Sequence, residues 1–253
     1  MRVLFLLIAC LSIVKTHTGQ EIMRLSFEVS NEYDPVWSPS GDSIAFTSDR
    51  GGLQHIFIMD AAGGDALSFT SGNAEEMHPY WLPQGNSIAF WSNREGNQDI
   101  WVQGIGGETP VNLTNSAAME ETVSFSPDGQ WFYFNSNRSN GNWDIWKQNL
   151  LSGTTTRLTN SSNSDGEPSV SPDGTKIAYI SGMGGNINIW AMNADGSDKK
   201  AVTSGTGLNI MPCWHPDGEH ISFASNRNGN FDIFTVHVQN LEIEAETFDQ
   251  ANE

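Results

Sequence analysis

The chain has 253 residues, 38% of them hydrophobic and 17% charged, with 25 glycines. That length suits one all-β domain, and that composition suits short strands joined by many turns. Twelve basic residues against thirty acidic ones leave a formal charge of −18, which repels phosphate backbones and anionic lipid surfaces and sets nucleic acid aside as a partner.

The N-terminus reads as an export signal over residues 1–19: Arg2 is a positive start, Val3 to Val14 an apolar run, and Lys15 to Gly19 a polar exit. The run is too short to span a bilayer, so no transmembrane span is expected. The mature chain is expected to begin near Gln20 and to be secreted or periplasmic. Leu7-Ile8-Ala9-Cys10 also resembles a lipoprotein cleavage box. A box so early leaves little apolar sequence before it, and a lipid anchor at Cys10 is the lesser alternative.

Beyond the signal the chain repeats itself. Trp37-Ser38-Pro39-Ser40-Gly41 aligns with Trp81-Leu82-Pro83-Gln84-Gly85, Phe125-Ser126-Pro127-Asp128-Gly129, Val170-Ser171-Pro172-Asp173-Gly174 and Trp214-His215-Pro216-Asp217-Gly218. The prolines advance by 44, 44, 45 and 44 residues. Within each copy, alternation of period two marks four short strands. The first ends in the Pro-x-Gly turn. The second carries Ile44 and Phe46 or their counterparts, and the third Ile56-Phe57, Ile100-Trp101, Ile145-Trp146, Ile189-Trp190 or Ile233-Phe234. The fourth holds Leu67, Leu113, Leu158 or Val202.

Four strands every 40 to 45 residues, with no helical periodicity between them, predict an all-β fold: a β-propeller of five four-stranded blades. The blades fall at about 34–77, 78–121, 122–166, 167–210 and 211–240, within a propeller spanning 20–240. Trp37, Trp81 and Trp214 are expected to fill the gaps between blades.

These residues resemble the TolB-like, WD40-like propeller family. The resemblance rests on the Ser-Pro-Asp-Gly turns at 126–129 and 171–174, on Ser48-Asp49-Arg50, Ser92-Asn93-Arg94, Ser136-Asn137-Arg138 and Ser225-Asn226-Arg227, and on Asp-Ile-Trp at 99–101 and 144–146. It covers residues 22–236. It implies a scaffold that mostly presents surfaces to partner proteins, although some relatives carry catalytic sites. TolB itself has a further N-terminal domain and usually six blades, and no Gly-x-Ser-x-Gly nucleophile elbow is found in this chain.

Ring closure is expected from the N-terminus, because Arg24-Leu25-Ser26 copies Arg157-Leu158-Thr159. Residues 22–27 then complete the fifth blade, and residues 241–253 form an acidic, solvated tail. A six-bladed or incomplete ring is the alternative. A second regularity supports five blades. An acid opens four first strands, Glu32, Glu76, Glu120 and Asp165, with Asn209 in the fifth; an arginine follows four second strands, Arg50, Arg94, Arg138 and Arg227, with Gly182 in the fourth. Pairing each arginine with the acid of the next blade sets the missing arginine beside the missing acid and leaves Arg227 to meet Glu32 across the closure. These charges are then scaffold.

For function the channel mouth remains, at Asp34, His78, Thr122, Glu167 and Met211, which differ among copies whose surroundings recur. The expectation is a non-catalytic, monomeric module whose rim and channel mouth bind an envelope or extracellular protein, or a glycan. The alternative is a carbohydrate-active enzyme, a glycosidase or lyase, with Asp34 and Glu167 as paired carboxylates about 5 to 9.5 Å apart. His78 with Asp34 and Glu167 would suit calcium if all three pointed into the channel. Without a His-Glu-x-x-His, paired-cysteine or EF-hand motif, no cofactor and no metal is the expectation.

Overall fold

The computed structural model describes residues 24–247 apart from Gly184; the export segment and Cys10 lie outside the described residues. Every regular element among the described residues is a strand. Two compact units divide between Ser116 and Ala117.

The first unit holds two blades. One is β1 (Glu32–Trp37), β2 (Ser43–Ser48), β3 (His55–Asp60) and β4 (Leu67–Ser68); the other is β5 (Glu76–Trp81), β6 (Ser87–Ser92), β7 (Asp99–Gly104) and β8 (Val111–Asn112). The second unit holds three. Its blades are β9 (Glu120–Phe125), β10 (Trp131–Ser139), β11 (Asn142–Asn149) and β12 (Thr155–Arg157); β13 (Ser164–Val170), β14 (Lys176–Met183), β15 (Asn186–Asn193) and β16 (Lys200–Ala201); and β17 (Gly207–Trp214), β18 (His220–Ser225), β19 (Asp232–His237) and β20 (Ile243–Ala245). In each, consecutive strands pair antiparallel.

Sequence alternation explains how neighbouring blades stack. On β2, Ile44 and Phe46 face one way and Ala45 the other; Ala45 and Ile56 then pack against Trp81, Ile88, Phe90 and Trp101 of the second blade. A small residue on one face leaves room for the large residues of the next blade. In the second unit Ala178 and Ala191 likewise receive Trp214, Ile221 and Phe223. Trp81 and Trp214 therefore pack between blades as expected, whereas Trp37 lies against a cluster of the first blade's own residues that Leu25 also joins.

A threonine ladder fixes every fourth strand. Thr70, Thr114, Thr159, Thr203 and Thr247 each accept a hydrogen bond at Oγ1 from the backbone N–H of the third-strand isoleucine, at 2.9 to 3.0 Å. Thr247 belongs to the segment expected to be a solvated tail. Instead β20 pairs with β19, Val236 opposite Ile243, and completes the fifth blade. Ile243 and Ala245 supply the apolar face that packs on this blade's core, and Glu244 between them points outward.

The N-terminal segment consequently does not complete that blade. Arg24-Leu25-Ser26 lies against the first blade and makes the contacts that Arg157-Leu158-Thr159 makes with the fourth. Arg24 Nε donates to Ser26 O as Arg157 Nε does to Thr159 O. A Cβ on Gly63 would come within 3.4 Å of Leu25 O, and one on Gly196 within 3.3 Å of Leu158 O. The sequence likeness was real, but it marks a seat on the first blade and not a partner for β19.

Candidate functional site

The arginines and acids are paired within blades, not between them. Arg50 binds Glu32, Arg94 binds Glu76, and Arg138 Nη2 reaches Glu120 Oε1 at 3.0 Å. Arg227 donates to Asn209 Oδ1 at 2.8 Å, so it does not depend on Glu32. The hairpin geometry is the cause: the turn after the second strand ends beside the start of its own first strand, and Glu32 is directly opposite Ser48. Each arginine Nε also donates to the serine two residues earlier, at 3.1 Å. Its guanidinium lies over a third-strand aromatic ring, as Arg94 does over Trp101 at 4.7 Å. By register the position lacking arginine is Met183, since Ser181 faces Asp165. The matched gap between blades, and the closure argument drawn from it, therefore do not hold.

Those ties build a polar rim. In the first unit a depression of about 330 Å³ is lined by Ser71, Asn73, Ala74, Glu76, Asn93 and Arg94. Glu76, only 1% exposed, forms its floor and is held by His55 of the preceding blade as well as by Arg94.

The five channel-mouth positions lie in the first strands, at irregularities in the ladder between β1 and β2, β5 and β6, β9 and β10, β13 and β14, and β17 and β18. Asp34, His78, Glu167 and Met211 have φ of 48°, 53°, 52° and 56°. Each precedes a proline, which has no N–H to contribute to a ladder and so sits in a bulge. Thr122 precedes Val123 and is absent from the positive-φ set; its N–H and hydroxyl both donate to Asn135 Oδ1, at 3.0 and 2.6 Å.

Two of these side chains reach the same position in the next blade. Asp34 Oδ2 is 3.0 Å from His78 Nδ1 in the first unit. In the second, Glu167 Oε2 accepts the N–H of Met211 at 2.5 Å. Met211 is 38% exposed and His78 a third exposed, so part of each remains available to solvent. The structure thus brings Asp34 to His78 and Glu167 to Met211. Among the described residues no group of three or more His, Cys, Asp and Glu side chains is placed to hold a metal ion.

One cluster escaped the sequence reading. His215 and His220 each place Nδ1 on Asp217 Oδ2, at 3.0 and 2.8 Å, and the ring of His220 packs edge-on against His237 at 4.8 Å. The signal was present in the repeat: His215 replaces the serine whose hydroxyl binds the turn aspartate at Ser126 and Ser171.

Repeated four-stranded blades, stacked face to face through small-on-large packing, define a β-propeller. The TolB beta propeller domain family matches residues 68–187 and 145–253, and the chain belongs to that family. Among solved structures it is similar to one assigned as TolB of Agrobacterium tumefaciens, with 26% identity over 75% of this chain and 72% of that one and a TM-score of 0.66. It also resembles TolB of Acinetobacter baumannii, with 21% identity, 85% of this chain, 53% of that one and a TM-score of 0.75. An oligogalacturonate lyase in complex with manganese shares the fold at 14% identity, over 83% of this chain and 63% of that one, with a TM-score of 0.63. The chain therefore spans about half the length of the Acinetobacter protein. No curated protein matches it in sequence. No helix among the described residues is long and apolar enough to cross a membrane.

Proposed function

We propose that this chain is an exported binding module, secreted or periplasmic, that recognises a protein or a glycan through the starts of its innermost strands and the adjoining polar rim, without catalysing a reaction. The observation that carries this reading is the backbone at Asp34, His78, Glu167 and Met211. A left-handed conformation costs a residue with a side chain about 1–2 kcal/mol, and glycine relieves that cost. Four blades adopt it, and all four carry a side chain there: two carboxylates, an imidazole and a thioether. Strain held at a repeated position by polar and apolar side chains suits a recognition surface, and a purely structural bulge would be better served by glycine. Membership of the TolB propeller family supports a binding role.

The test uses the mature chain and a quadruple variant, Asp34→Gly, His78→Gly, Glu167→Gly and Met211→Gly, immobilised separately and exposed to envelope extract, culture fluid and a glycan array. Binding by the parent that is lost by a variant of unchanged melting temperature supports the reading. Depolymerisation of a polysaccharide panel by the parent, abolished by Glu167→Gln alone, would replace it with the enzyme.

A further inference from the structure

At the junction of two blades, the third-strand residue opposite that blade's second-strand serine meets the first-strand residue opposite the next blade's serine. Between the first and second blades these are His55 and Glu76, joined through His55 Nδ1 at 2.8 Å. Between the fourth and fifth they are Asn188 and Asn209, joined by an amide N–H of Asn209 at 3.2 Å. Each of these joints has a hydrogen to place between two acceptors.

The joint between the third and fourth blades has Asp144 and Asp165, at 0% and 2% exposure. Neither ionised carboxylate carries a hydrogen. Asp144 Oδ2 takes Arg157 Nη2 at 2.7 Å, and Asp165 Oδ2 takes the Ser161 hydroxyl at 3.3 Å. Both Oδ1 atoms are buried and lack a hydrogen-bond partner. The Ser181 hydroxyl interacts with Asp165, and the Thr159 hydroxyl interacts with both carboxyl groups, but its single hydrogen serves only one at a time.

We infer that Asp144 and Asp165 hold one proton between them, so that this joint closes only while the proton is bound and loosens when it leaves. The charges facing the pair agree. Arg157 neutralises one carboxylate; Lys199 acts on Asp165 at longer range, and the fourth blade has no arginine at the position that holds the other acids. The Tyr179 hydroxyl also faces Asp165; burial, then the nearness of that carboxylate, holds its proton more tightly than usual. One proton removes the excess negative charge and supplies the missing donor. A divalent cation would need several more oxygen ligands and would have to sit near the Arg157 guanidinium.

Burial raises the affinity of both carboxyl groups for a proton, and the charge of Asp165 raises that of Asp144 further. A group raised in the folded state contributes stability that is complete below the ordinary carboxylate value of about 3.9 and disappears as pH rises through the raised value. The joint is thus closed in acid and weakened toward neutrality.

Thermal unfolding of the full chain and of Asp165→Asn across the range from about pH 4 to about pH 8 tests this. Asn at 165 copies Asn209 and brings its own hydrogen. The variant should match the parent in acid and melt several degrees higher at neutral pH. A variant that melts lower than the parent at neutral pH would show an ionised Asp165 already satisfied by its hydroxyl partners, and would overturn the inference. Infrared difference spectra of the parent provide a readout independent of the variant's folding. A protonated carboxyl band above about pH 5, bleached as pH rises, is expected, and its absence overturns the proposal. So does restoration of neutral-pH stability by added calcium, which would make the pair a cation site.

Discussion

His55 Nδ1 lies 2.8 Å from Glu76 Oε2, and the other oxygen of Glu76 holds Arg94. One carboxylate therefore ties the third strand of the first blade to the opening of the second and anchors the arginine turn above it. Since Glu76 is 1% exposed, its oxygens are held by these two neighbours and not by water.

Glu76→Ala should destabilise the first unit by about 3 kcal/mol, toward the lower end for a broken buried pair because Arg94 is partly exposed and can turn to water. Arg94→Ala should cost at least as much, because it leaves the carboxylate buried beside His55 alone. Urea unfolding of both variants checks the ranking; equal and negligible losses would show that neither charge matters to the fold.

The threonine ladder predicts a distinct pattern. Thr203 Oγ1 accepts the N–H of Ile189 at 2.9 Å where both groups are buried. Thr203→Val keeps the shape but strands that N–H, at a cost of about 1–3 kcal/mol, while Thr203→Ser keeps the acceptor and should cost less. Denaturant midpoints of the two variants distinguish the loss of the acceptor from the loss of a methyl group.

Asp217 supplies a pH dependence of opposite sign to that of Asp165. Burial alone would raise its pKa, but the backbone N–H groups of Glu219 and His220 and the imidazoles of His220 and His215 outweigh it and bring the value to about 2. A depressed group contributes stability that is full above its ordinary value of 3.8 and is lost as pH falls through about 2. The side chain is 36% exposed, so solvent screening limits Asp217→Asn to about 1 kcal/mol or less at neutral pH. The parent and variant melting curves should converge below about pH 2.

Much of this architecture was legible because the repeat is strict. The Pro-x-Gly turns placed the blades, and the alternation of Ile44, Ala45 and Phe46 gave the two packing faces. The partner of each arginine was not legible: one sequence offers Arg50 both Glu32 and Glu76, and only the antiparallel hairpin, which sets Glu32 opposite Ser48, decides between them. The fifth blade was misjudged for a related reason. Ile243 and Ala245 were obscured by the glutamates beside them, although Thr247 falls 44 residues after Thr203 and carries the ladder's register. The strain at His78 could not be read either, since backbone dihedrals follow from the bulge and not from the identity of the residue in it.

Deleting residues 241–253 tests the corrected blade. It removes β20 and the Thr247 acceptor for Ile233, and it uncovers Val236 and Phe234, now 0% and 4% exposed. Uncovering two such side chains should cost at least about 3 kcal/mol. A solvated tail would be removed without effect on the melting temperature.

The strained first strands make the most informative comparison. Met211 has φ of 56° and is 38% exposed, so glycine there relieves backbone strain of about 1–2 kcal/mol, offset by a similar gain in unfolded-chain entropy and the loss of a half-exposed side chain. The Glu167 bond survives, because it is made by the Met211 backbone N–H. Met211→Gly should therefore change stability by no more than about 1 kcal/mol. Thr122 relieves no left-handed strain, and its hydroxyl is bound to Asn135, so Thr122→Gly should cost about 2 kcal/mol from backbone entropy and the lost hydrogen bond together. Chemical unfolding of both variants measures this contrast. If Met211→Gly is instead as costly as Thr122→Gly, the methionine is held for packing, and the argument that its side chain is kept for recognition loses its support.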